Sequence, residues 1–163
     1  MIKHRKKIVI KANNEKVWFF ISDLSRSLIF DKYYTLVELP SNYSINKDLI
    51  FFIYTKYFFK IKKCEAKIVN TNAPLSLEIA CSSPSLNVFN HTKKFVLKSF
   101  NDKTELTYIL EGSFHKNYYN IFYNYLIKIA FNLELQYIKK AIESSETNHN
   151  IKKMRTATKN NLY

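Results

Sequence analysis

The sequence predicts an α+β fold: a curved antiparallel sheet of about seven strands wrapped around one long C-terminal helix, with two short helices after the first strand. Three observations predict it. The chain opens with an apolar run, a polar break and an aromatic-loaded helical segment, "KIVIKANNEKVWFFISDL" from Lys7 to Leu24. From Tyr34 to Phe114 the apolar residues mostly recur with a period of two. From Lys116 to Ser145 they recur at helical spacing.

Each element follows in turn. Arg5–Lys11 reads as a strand with Ile8 and Ile10 on one face. Asn13 is suited to cap a helix, because its side chain can accept an orphan backbone N–H, and Glu15 in the first turn suits the helix dipole. Val17, Trp18, Ile21 and Leu24 then recur at helical spacing. A second short helix is expected over Ser25–Asp31, capped by Ser25 or Ser22. "YTLVELP" (Tyr34–Pro40) is a short strand ended by proline, and "SNYSIN" is a turn. Lys47–Asn70 is too long for one strand and is expected to divide near Thr55–Tyr57. Cys64, Ala66 and Ile68 share one face there, with Glu65 and Lys67 on the other. "TNAP" is the next turn. Leu75, Leu77, Ile79 and Cys81 point one way in the following strand. Past "SSPS", Phe95 and Leu97 alternate against Lys94, Val96 and Lys98. Asn101–Asp102 marks a hairpin, after which Leu106, Tyr108 and Leu110 alternate against Glu105, Thr107, Ile109 and Glu111. Such alternation belongs to an antiparallel sheet with one buried and one wetter face. In the last helix Phe122, Leu126, Ile129 and Leu133 form the expected core stripe, with Asn117, Asn120, Asn124 and Lys128 as the polar stripe opposite. Tyr119, Tyr123, Ile127 and Phe131 are apolar as well, more than one sheet contact requires.

Composition bounds the organisation. A chain of 163 residues reads as one domain, residues 1–145, followed by a basic polar tail, 146–163, expected to fray. Hydrophobic residues make up 47%, too many for a disordered chain. There is one glycine, so turns must be made by other residues, and asparagine is plentiful where turns are expected. No apolar stretch reaches the roughly 18 residues of a membrane span, and Ile8–Ile10 is too short for a signal-peptide core. Cys64 and Cys81 have neither metal nor redox spacing. A cytoplasmic protein with free, buried thiols is the simplest reading. The net charge of +13 points either to an anionic partner or to a lysine-rich composition without functional meaning. Two basic clusters, Lys3–Lys7 and Ile151–Arg155, lie near the ends.

Chemistry is sparse. His4, His91, His115 and His149 are far apart and match no metal spacing. His91 and His115 read as surface or capping histidines, since no positioned partner for general-base work is visible. Glu65, Glu78, Glu105 and Glu111 alternate onto the solvated face. No phosphate loop, nucleophile elbow, zinc motif or cofactor signature is present, and no catalytic residue or cofactor is assigned.

"IVIKANNEKVWFFISDLSR", with Glu15–Trp18 and Ile21–Asp23 at its centre, resembles the opening of the START-like, Bet v 1-like helix-grip superfamily (SRPBCC), which includes polyketide cyclases. "APLSLEIAC", "KKFVLKSFNDKTELTYILEGSF" and "LELQYIKKAIESS" look like its later strands and final helix, so the resemblance runs from Arg5 to Ser145. It implies a cavity between sheet and helix that holds lipids, sterols, quinones, polyketides or other apolar molecules. The expected liners are Tyr54, Phe59, Leu77, Ile79, Phe95, Leu97, Tyr108, Leu110, Phe114, Phe122, Tyr125, Leu126 and Ile129, which could equally do no more than fill the core. Three functions stay open: binding or carriage of an apolar molecule, helped by contact of the basic ends with an anionic membrane; a cyclase/dehydrase-type enzyme; and a nucleic-acid or protein-binding module using the basic surface. The surplus apolar surface of the long helix leaves monomer and homodimer both open.

Overall fold

A computed structural model describes residues 1–57, 60–85 and 88–144. The chain runs β1 (Ile2–Ile10), α1 (Asn14–Ser22), α2 (Leu24–Ser27), a 3-10 turn (Leu28–Phe30), β2 (Tyr34–Glu38), β3 (Ile50–Tyr57), β4 (Lys60–Asn72), β5 (Ser76–Ser82), β6 (Asn90–Phe100), β7 (Lys103–Ser113) and α3 (Asn117–Glu143). All seven strands form one antiparallel sheet in the order β1-β7-β6-β5-β4-β3-β2. The expected curved antiparallel sheet, two short helices and long last helix are therefore present. The tail beyond Ser144 lies outside the described residues.

Local chemistry explains the joints. The Asn13 side chain caps α1 by accepting from the Lys16 amide at 2.9 Å. The second helix is shorter than expected. It follows directly on Asp23, whose carboxylate accepts from Ser25 at 2.5 Å and pairs with Arg26 at 2.9 Å, and it tightens into the 3-10 turn. Neither Ser22 nor Ser25 caps it. The β3–β4 reversal falls after Tyr57, later than expected, because β3 remains paired with β4 out to Tyr57↔Lys60. Asn42, Asp48 and Asn101 take positive φ values of 56°, 73° and 54°, doing the work glycine usually does in turns.

The strands alternate as predicted. Leu77, Ile79 and Cys81 on β5, Phe95 and Leu97 on β6, and Leu106, Tyr108 and Leu110 on β7 all face inward and are buried. Leu75 precedes β5 and is exposed. Cys64 and Cys81 are free and buried. On the outer face Glu78, Glu105 and Glu111 meet Lys94, Lys7 and Lys3 in surface ion pairs.

The long helix is rotated relative to its expected setting. Its buried side consists of Asn120, Ile127, Ala130, Phe131, Glu134, Leu135, Ile138 and Ile142. Phe122, Leu126, Ile129 and Leu133, expected in the core, are exposed. Asn120, expected on the polar side, is buried and its Oδ1 accepts from the Phe114 amide at 2.9 Å, fixing the entry into the helix. Lys6 Nζ donates to Asn132 Oδ1 at 2.8 Å, and the Lys11 amide donates to Glu143 Oε1 at 2.7 Å. These bonds tie the helix along β1.

The single glycine has a steric role. Gly112 on β7 stands opposite His91 on β6. A Cβ there would lie 2.4 Å from the Asn90 carbonyl oxygen and 2.6 Å from His91 Cβ. Neither atom can rotate away. Gly112→Ala is therefore expected to destabilise the fold by about 1–3 kcal/mol through overpacking, lowering Tm by about 2–4 °C per kcal/mol. Thermal unfolding followed by circular dichroism checks this, and an unchanged Tm would mean that the two strands have slack.

Candidate functional site

Two neighbouring polar groups stand in the interior between sheet and helix. The first centres on Lys93. Period two puts it on the inward face of β6 with His91, Phe95 and Leu97, flanked by Ile79 on β5 and Leu110 on β7. Its side chain is only 2% exposed. Nζ donates to Asp31 Oδ2 at 2.6 Å and to Glu134 Oε1 at 2.7 Å. The same ammonium lies 4.5 Å from the centre of the Tyr34 ring, a cation–π distance. Asp31 is aimed by the turn that ends the second helix. Its Oδ1 accepts from the Tyr33 amide at 2.8 Å, leaving Oδ2 for Lys93. Glu134 comes from the inward face of α3, and its Oε2 accepts from the Tyr108 hydroxyl at 2.7 Å.

The second group is His91 with Tyr34. His91 Nδ1 lies 2.8 Å from the Phe89 carbonyl oxygen, which can only accept. Nδ1 therefore carries the proton, and Nε2 accepts from the Tyr34 hydroxyl at 2.7 Å. The imidazole also stacks on Phe89 with centroids 5.1 Å apart. This corrects the reading of His91 as a surface or capping residue. It is buried, oriented at both nitrogens, and has the positioned partner that was not visible in the sequence.

The electrostatics follow from one ammonium facing two carboxylates. Burial penalises the Lys93 charge, but Asp31 and Glu134 outweigh it and the ammonium is held above its ordinary value. Burial pushes Glu134 up to about 7, with Asp31 adding to the rise and Lys93 opposing it. Both Glu134 oxygens accept hydrogen bonds, which suits the carboxylate, whereas burial suits the acid. Burial, with the Lys93 charge adding to it, pulls His91 down to about 4, so it is neutral. Burial also raises the Tyr34 and Tyr108 phenols.

A gap of about 20 Å³ lies against both groups. That is room for about one water. Asp31, Tyr33, Tyr34, His91 and Glu134 give it a polar wall; Phe89, Leu110, Ile127, Ala130 and Phe131 give it an apolar one. Of the expected liners, Leu110 borders it. Tyr108 reaches it indirectly, through Glu134. Leu77, Ile79, Phe95, Leu97 and Phe114 are buried in the surrounding core. Five do not face the interior. Tyr54 is on the outer face of β3 and donates to Glu38 at 3.1 Å, because Phe51, Ile53 and Thr55 take the inward positions. Phe122, Tyr125, Leu126 and Ile129 are exposed by the rotation of α3. Phe59 and His149 lie outside the described residues, and His115 is exposed. Among the described residues no group of His, Cys, Asp or Glu could hold a metal ion.

Lys93, Glu134, Asp31 and Tyr34 were missed as a group. A signal existed for two of them. Lys93 has the parity of Phe95 and Leu97, and Glu134 sits three residues after Phe131 and four before Ile138.

The two titrating groups have opposite linkage. His91 holds fewer protons folded than unfolded between pH 4 and its ordinary 6.5, so its contribution rises with pH across that window. Glu134 holds more protons folded than unfolded between its ordinary 4.5 and about 7, so its contribution falls with pH there. Glu134→Gln removes the second term. The variant is expected to gain stability with rising pH between about 4.5 and 6.5, by up to about 1.4 kcal/mol per pH unit, where the wild type is nearly flat. Urea unfolding across that range checks it; parallel profiles would mean that Glu134 titrates normally.

No family profile matches the sequence, and no curated protein matches it. The fold has many relatives among solved structures. The aromatase/cyclase Zhui from Streptomyces sp. R1128 superposes with a TM-score of 0.69 at 8% identity, covering 86% of this chain and 93% of that one. A conserved protein from Geobacillus kaustophilus gives a TM-score of 0.66 at 15% identity, covering 86% and 95%. Ara h 8.0201 gives a TM-score of 0.57 at 7% identity, covering 83% and 96%. At such identities the likeness is one of fold. The chain has a helix-grip fold.

Proposed function

We propose that this protein binds a small, mainly apolar molecule between the sheet and α3, with a hydrogen-bonding group of that molecule held against Tyr34, His91 and Glu134. One observation carries the reading: a gap with a polar wall of oriented, buried groups opposite an apolar wall, in the helix-grip fold. Small-molecule sites are mostly apolar with a few placed polar groups. A gap of about 20 Å³ does not admit such a molecule at rest. Entry requires the turn carrying Asp31–Tyr34 to part from α3, and Lys93 is the residue that ties them.

A second reading has its own support. Glu134 held at about 7, donor-bonded by Tyr108 and Lys93, has the proton affinity of a general acid or base at neutral pH. An enzyme of cyclase/dehydrase type needs such polar groups inside the cavity, and the interior is not wholly apolar. The Zhui protein of the same fold is an aromatase/cyclase.

Native mass spectrometry of the purified protein, followed by organic extraction, tests the binding reading directly. An apolar adduct at one per chain is expected. Its occupancy should fall about tenfold in Tyr34→Phe or Glu134→Gln, as expected on losing a hydrogen bond to a charged or oriented group. A clean apo mass, with no uptake of fatty acids, sterols or quinones, would count against any interior site. Conversion of the extracted compound on return to fresh protein, lost in Glu134→Gln, would instead establish the second reading.

A further inference from the structure

Helix α3 is apolar on two opposite sides. One side grips the sheet through Ile127, Phe131, Leu135 and Ile138. On the other, Ile121 is 84% exposed, Tyr125 71% and Phe122 70%, and the row continues through Ile129, Leu133 and Tyr137. A helix resting on one sheet needs one apolar stripe. A contiguous exposed row of this kind marks an interaction surface.

Charge selects the occupant. From Lys116 to Leu133 there is no acidic residue. Lys116 sits at the helix entry, 5.9 Å from the Tyr118 ring. Lys128 is exposed on the helix, and Lys6 reaches Asn132 along its flank. The whole chain carries +13. A second copy on this face would bring a second large positive charge against the first, whereas an anionic surface would be attracted. Aromatic and aliphatic side chains on one helical face, bordered by lysines, suit the boundary between lipid headgroups and acyl chains. Among the described residues no helix is long and apolar enough to cross a membrane.

We infer that the outward face of α3 rests on an anionic lipid surface, with Ile121, Phe122, Tyr125 and Ile129 in the headgroup–acyl boundary and the flanking lysines among the headgroups. This rests on exposure and charge, and stands apart from whether the interior holds a ligand.

Vesicle co-sedimentation of the full chain tests it, using phosphatidylcholine alone and phosphatidylcholine with phosphatidylserine. Strong binding to the anionic vesicles is expected, weak binding to the neutral ones, and a decrease with added salt. Phe122→Glu with Tyr125→Glu should reduce partitioning by about tenfold or more, since both buried apolar area and charge are lost. Ile121→Ser, which adds no charge, should give a smaller loss in the same direction. Circular dichroism checks that each variant keeps its fold. Unchanged anionic binding in both variants would show that basic segments elsewhere act alone, and would overturn the inference. So would absence of wild-type binding. A wild-type dimer by light scattering that the double variant dissolves would assign the face to a second copy, with the same consequence.

Discussion

The interior of this fold turns on Lys93. It stands on the inner face of β6, an interior strand, and its ammonium is shared between a carboxylate from the turn after α2 and a carboxylate from α3. Three layers of the structure meet at one buried charge. Burying a charge is tolerable only when it is paired and hydrogen-bonded, and removing one partner of such a pair typically costs about 3–5 kcal/mol. Position, more than strength, follows from this. The Asp31 turn cannot slide along the sheet, and α3 cannot rotate, without stranding a charge.

That constraint bears on why the sequence was legible in part. Strand parity was readable because each strand has one apolar face, so Phe95 and Leu97 or Tyr108 and Leu110 declare their direction. The turns were readable as a class, because a chain with one glycine must place Asn or Asp at positive φ. The setting of α3 was not. Both of its faces are apolar, and the stripe through Phe122, Leu126, Ile129 and Leu133 is as regular as the one through Ile127, Phe131, Leu135 and Ile138. Choosing between them needs the polar partners. Glu134 must meet Lys93, and Asn120 must meet the Phe114 amide. Those pairings join residues far apart in the chain or around a turn, and no periodicity encodes them.

The candidate site is similar in kind. Lys93 and Glu134 occupy positions where the local pattern calls for apolar side chains. A sequence that breaks its own pattern twice, and brings the two exceptions within 2.7 Å of each other, has set aside packing for something else. The exceptions share the interior with His91, whose two nitrogens are both committed, and with Gly112 opposite it, where there is no room for a side chain. Among the described residues the buried lysine, glutamate and histidine side chains thus gather at the inner face of β6.

The order of the sheet has a further consequence, for the time course of folding. Strand β1 pairs only with β7, and Lys7 meets Glu105 at a separation of 98 residues. During synthesis β1 waits for most of the domain to be made before its one partner exists. Pairings between neighbouring hairpin strands can form in the meantime, whereas this one carries the entropy of closing a long loop. A waiting strand is a hazard for intermolecular pairing. Lys3, His4, Arg5, Lys6 and Lys7 leave β1 densely basic through that interval. Two copies of so basic a strand repel one another, which opposes pairing between chains during that interval.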